Sequence, residues 1–84
     1  MTRPLRDYRL DAGLTQQQLA DRAGVALTTV ILAETGKRTP HPPNRKKITD
    51  ALAEALGYPV AVTAVAEFGD GDYRGPQGVE RPPA

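Results

Sequence analysis

The stretch Leu14–Gly36, LTQQQLADRAGVALTTVILAETG, constrains this chain more than any other. It reads as a helix, a tight turn and a second helix. Thr15 is a good N-cap for a helix over Gln16–Ala23, and Gln18 at the third helical position completes a capping box. Leu19, Ala20 and Ala23 form its inward stripe, and Ala20 is small enough to let two helices cross closely. Gly24 can take the left-handed conformation that ends this helix, with Val25 and Ala26 finishing the turn. The second helix then runs from Leu27 to about Thr35. It turns Val30 and Ala33 inward and leaves Thr28, Ile31, Leu32 and Thr35 on or near its open face. The β-branched run Thr28, Thr29, Val30 and Ile31 weakens its intrinsic helix propensity, so packing must hold it.

The flanks fill out a small bundle. Residues 3–12 read as a first helix, with Pro4 in its first turn, Leu5, Tyr8 and Ala12 at helical spacing, and Gly13 as its stop. Leu14 should then fold back onto the core. Gly36 ends the second helix of the central pair, and GKRTPHPP follows as a stiff basic loop whose prolines forbid helix. Asn44 is placed to cap a helix over Arg45–Leu56, with Ile48, Leu52, Ala55 and Leu56 as its apolar stripe and Gly57 as its end. Residues 59–68, PVAVTAVAEF, are ambiguous: either a short helix starting at Pro59 or a strand of alternating valines. The last sixteen residues hold four Gly and three Pro and read as a disordered tail. The fold class expected is therefore all-α, a bundle of four to five helices, divided as 1–57, 58–68 and 69–84.

Composition narrows the function classes. The chain has 84 residues and no cysteine, which excludes a disulfide framework and a cysteine metal site. No run of about 18 apolar residues is present to span a membrane. The charged start MTRPLRDYRLD does not suit a secretory signal, and the expectation is a cytoplasmic protein. The net charge of +1 hides an asymmetry: residues 1–57 carry nine Lys/Arg against six Asp/Glu, and residues 58–84 carry two against four. Lys37, Arg38, Arg45, Lys46 and Lys47 cluster directly after the central helix pair, which suits phosphate contact. His41 is the one histidine, a metal role is not expected of it without partner ligands, and no P-loop, GxGxxG or triad constellation appears in the chain. Asp70–Gly71–Asp72 begins like a calcium loop, but Arg74 and Arg81 occupy positions where carboxylates are needed. An enzyme, a cofactor and a bound metal are not expected.

The central pair has the spacing of a DNA-binding helix-turn-helix, whose second helix lies in the major groove. Residues 5–57 resemble the phage-repressor-like, XRE-type helix-turn-helix family in their succession of L-R-x-x-R, G-L-T-Q-x-x-L-A, A-G-V, T-T-V and E-x-G-K-R-x-P. The resemblance implies a five-helix bundle that binds operator DNA, often as a dimer, and regulates transcription. It places Gln16, with Gln17 beside it, against a DNA phosphate at the helix start. Leu27, Thr28 and Leu32 fall where base edges are met, with Ile31 beside them, and Thr29 falls where a hydroxyl meets phosphate. Arg9 and Glu34 occupy the positions of an internal ion pair. Lys37 and Arg38, followed by His41, Arg45 and Lys46, are the remaining phosphate candidates.

One departure is chemical. The family usually places Ser, Gln, Arg, Asn or Lys on the reading face, whereas this chain offers Leu27, Ile31 and Leu32. Such side chains can meet thymine methyl groups but cannot make the bidentate contacts that read guanine or adenine. A T-rich preference, or specificity from DNA shape and dimer spacing, is the consequence. The resemblance thus points to a phage or mobile-element type repressor of double-stranded DNA, with residues 59–68 as a dimerisation segment. Two alternatives stay open at this point. One is the antitoxin of a toxin–antitoxin pair, taking a protein partner through residues 58–84. The other is a protein-interaction module that kept the bundle without reading DNA.

Overall fold

Residues 2–69 are described in the computed structural model, and among them the short apolar stripes become five helices with no β-strand. These are α1 (Leu5–Asp11), α2 (Gln16–Ala23), α3 (Leu27–Glu34), α4 (Pro42–Leu56) and α5 (Ala66–Gly69), with one 3-10 turn at Val62–Ala64. Helix α2 is the hub: it packs on both α3 and α4, while α1 closes the bundle against α3 and α4. The core consists of Leu5 and Tyr8 from α1, Leu19, Ala20 and Ala23 from α2, Val30 and Ala33 from α3, and Ile48, Ala51 and Leu52 from α4. Leu14 is buried with them, as the fold-back after Gly13 requires, and Gly13 itself sits at φ +73°. Full burial of each large aliphatic side chain contributes about 1.5–3 kcal/mol, which is how helices of seven or eight residues persist here.

Local chemistry explains the boundaries of α2 most completely. The Gln18 amide N–H donates to Thr15 Oγ1 at 3.0 Å, and the Thr15 amide N–H donates to Gln18 Oε1 at 2.9 Å. Gly24 ends the helix in the left-handed region at φ +72°. Helix α1 lacks a cap of its own. Pro4 stands at its N-cap rather than inside its first turn, and the Leu5 N–H donates instead to Glu67 Oε1 of α5 at 2.8 Å.

Two expectations need correction. The prolines of GKRTPHPP do not keep helix away: Pro42 and Pro43 are the first two residues of α4, and His41 stands at its N-cap. First-turn amides have no intrahelical acceptor, so proline loses nothing there and its fixed φ already suits the helix. Asn44 therefore lies within the first turn and does not cap it. The second correction concerns residues 59–68. No helix starts at Pro59; the chain is irregular to Ala61, turns through Val62–Ala64 and forms only the short α5. Val65 makes a single parallel bridge with Arg3, through Arg3 N–H to Ala64 O at 2.9 Å and Ala66 N–H to Arg3 O at 2.8 Å. Val65 and Phe68 are buried in the core, so the apolar character of this segment is used within the molecule.

No helix among the described residues is long and apolar enough to cross a membrane. Of the expected tail 69–84, Gly69 is the last residue of α5, and the rest, including the Asp70–Gly71–Asp72 sequence, lies outside the described residues.

Candidate nucleic-acid interface

The site is built around α3, and α3 is held from within. Val30 and Ala33 are fully buried. At its C-terminal end Glu34 meets Arg9 of α1, with Arg9 Nε to Glu34 Oε2 at 2.5 Å and Nη2 to Oε1 at 3.2 Å. The two side chains are only 10% and 5% exposed, so this pair lies out of solvent and its partners matter. Arg9 also donates through Nη1 to the Leu14 carbonyl at 2.9 Å, and the Gln16 side-chain amide donates to Glu34 Oε1 at 3.2 Å. One guanidinium–carboxylate pair thereby joins α1, the turn before α2, the first residue of α2 and the last residue of α3.

The end of α3 also sets the basic loop. Leu32 O accepts from the amides of Lys37 and Arg38, at 3.0 and 3.3 Å, and from the Thr35 hydroxyl at 3.2 Å. This hooks the backbone of both cations onto the last turn of the helix and leaves their side chains exposed. Gly36, at φ +73°, makes the reversal sterically accessible. Beyond it Pro40 is buried, and α4 begins at once. Between α3 and this loop runs an open groove of about 540 Å³, lined by Ala26, Thr28, Thr29 and Leu32 on one side and by Arg38, Pro40 and His41 on the other.

The residues singled out from the sequence fall into distinct positions. Thr28 is exposed, and Ile31 and Leu32 are half-buried without joining the core cluster. Leu27 is also half-buried, but it packs against the core. Thr28, Thr29 and Leu32 share the groove wall, and Arg38 and His41 face them across it. Gln16 sits at the start of α2 with one amide hydrogen directed to Glu34, and Gln17 spans to Asp21 at 2.8 Å. Arg45 and Lys46 stand on α4: Lys46 pairs with Asp50 at 3.3 Å, while the Arg45 Nε is buried with no hydrogen-bond partner among the described residues.

Other groove residues escaped the sequence reading. Ala26, Thr39, Pro40 and Asn44 line the groove, yet their place there depends on a loop path set by the burial of Pro40 and by the proline start of α4. No local sequence signal marks them. Tyr8 packs rather than reaching outward: it is buried, with the Arg3 guanidinium 4.8 Å above its ring. No cluster of His, Asp or Glu among the described residues could hold a metal ion.

Comparison with known proteins agrees with this architecture. Residues 1–66 match a family described as a helix-turn-helix domain. A protein of Methanothermobacter thermautotrophicus described as an uncharacterized HTH-type transcriptional regulator is 44% identical over 53 residues, which cover 63% of this chain and 71% of that protein. No solved structure matches.

Proposed function

The chain belongs to the helix-turn-helix domain family, and from that premise we propose that it is a DNA-binding transcriptional regulator of the phage or mobile-element repressor type. Helix α3 enters the major groove, with Thr28, Ile31 and Leu32 toward base edges and Leu27 at the margin. Gln16, Gln17 and Thr29 approach one stretch of phosphate, and Lys37, Arg38, His41, Arg45 and Lys46 approach another. A homodimer on an inverted repeat would place its half-sites about one helical turn apart.

The observation that supports this reading is the hooking of Lys37 and Arg38 onto the Leu32 carbonyl. It sets two exposed cations directly beside the open stripe of α3, where a duplex lying against that stripe presents its phosphates. Phosphate contacts fix position and orientation, while contacts from the helix choose sequence. The two sets should therefore separate by mutation. Lys37→Ala and Arg38→Ala should each weaken binding to all duplexes alike and lower the dependence of log K on log salt by about one unit per lost phosphate contact. Unchanged salt slopes in both variants would remove this loop from the interface.

The apolar stripe gives one specific support to a second reading, a protein-interaction module. Self-association or partner binding through α3, with no binding to any duplex, would establish that module in place of the regulator.

A further inference from the structure

The outer face of α3 is almost without hydrogen-bonding groups. Ile31 and Leu32 contribute only hydrocarbon, and Leu27 leans on the core. The Thr35 hydroxyl is turned back on its own helix, donating to the Ile31 and Leu32 carbonyls at 3.0 and 3.2 Å. That leaves Thr28 and Thr29 as the polar side chains α3 brings to the groove, each carrying a methyl group beside its hydroxyl. Across the groove stand Arg38, Thr39, Pro40, His41 and Asn44, and no acidic residue lines it. Glu34, the one carboxylate of α3, is engaged by Arg9 and Gln16.

A wall of Leu32, Ala26 and threonine methyl groups with the Arg38 guanidinium at its rim suits a polyanion that carries a hydrocarbon spot at its centre. In the major groove that spot is specific. Adenine and guanine present N7 with an amino group or O6 there, unmodified cytosine presents its N4 amino group and only a hydrogen at C5, and the C5-methyl group of thymine is the one bulky apolar feature. We propose that Leu32, with the methyl groups of Ala26 and Thr28, seats the C5-methyl of a pyrimidine. The seat responds to the methyl group rather than to the base that bears it. Cytosine methylated at C5 places the same methyl at the same edge, so it substitutes for thymine at this position, and cytosine methylation of the site strengthens binding. This rests on the DNA-binding reading above and adds to it the chemical group recognised and a means of regulation.

The test uses the full chain and the duplex it selects from a randomised pool. Thymines of that duplex are replaced one at a time by deoxyuridine, which lacks only the methyl group. Affinities are measured at fixed salt for the wild type, Leu32→Ala and Arg38→Ala, with folding of each checked by circular dichroism. At the seated position the wild type should lose roughly fourfold in affinity, the worth of one buried carbon. Leu32→Ala should shrink the thymine-over-deoxyuridine ratio toward one. Arg38→Ala should bind both more weakly and keep the wild-type ratio. Placing cytosine there should weaken binding, and 5-methylcytosine in its stead should regain roughly fourfold.

Binding that no deoxyuridine replacement alters would overturn the inference and leave the regulator standing. So would a ratio that persists undiminished in Leu32→Ala. Failure to bind any duplex would overturn the DNA-binding reading and the inference with it.

Discussion

Helices α2 and α3 are each eight residues long, adjacent in sequence and packed together, yet they are stabilised in opposite ways. Helix α2 carries its own instructions. A capping box closes its first turn, a left-handed glycine closes its last, and Gln17 and Asp21 pair along its outer side. Helix α3 has Ala26 at its N-cap and so no side-chain cap, and it is rich in β-branched residues. Its order comes from outside: Val30 and Ala33 in the core, Glu34 in the grip of Arg9, and the Leu32 carbonyl tied to the following loop. The helix that would meet DNA is therefore the one least able to form alone. Because its anchors all lie on the inner face and at the C-terminal end, the residues of its outer face are free to be chosen for binding.

This contrast can be broken first at Glu34. Glu34→Ala leaves Arg9 buried with only the Leu14 carbonyl as partner, and should cost about 3–5 kcal/mol in urea unfolding. Replacing both members, as Arg9→Met with Glu34→Leu, should recover most of that loss, since it removes the stranded charge. A cost below 1 kcal/mol for Glu34→Ala would mean α3 does not depend on the pair. A smaller effect is expected at the start of α2. Thr15→Ala removes half of the capping box and should cost about 1 kcal/mol, with α2 fraying at its first turn as read by amide hydrogen exchange. The smallest effect sharpens the comparison from the other side. Ala26→Ser supplies the cap that α3 lacks and should stabilise the fold by about 0.5 kcal/mol, whereas a neutral result would mean α3 gains nothing from local support.

The same contrast explains what could be read from the sequence. The bounds of α2, its cap at Thr15 with Gln18, and the turn at Gly24 are all local signals, and the structure has each of them. The inward positions Val30 and Ala33 of α3 follow from spacing alone. What escaped depends on contacts distant in sequence. Proline breaks a helix interior, but at Pro42 and Pro43 position in the first turn makes it a helix starter. The alternating valines of residues 59–68 carry no local sign that Val65 and Phe68 belong in the core, nor that Glu67 supplies the cap α1 lacks. In the candidate site, the groove opposite α3 follows a loop path in which Pro40 is buried, and the Thr35 hydroxyl proton is used within its own helix. Residue type and spacing place side chains on a face; they do not reveal which donors the fold has already used.

In the function proposed above, α3 with its apolar outer face selects DNA sequence while the adjacent loop holds phosphate. Selection from a randomised duplex pool at two salt concentrations tests it most directly. The expected result is enrichment of a T-containing inverted repeat, its half-sites about one helical turn apart, with the same sequence winning at both salts as overall affinity falls. Salt-sensitive binding with no enriched sequence at either concentration would contradict it, since the loop would then bind phosphate beside a helix that reads nothing.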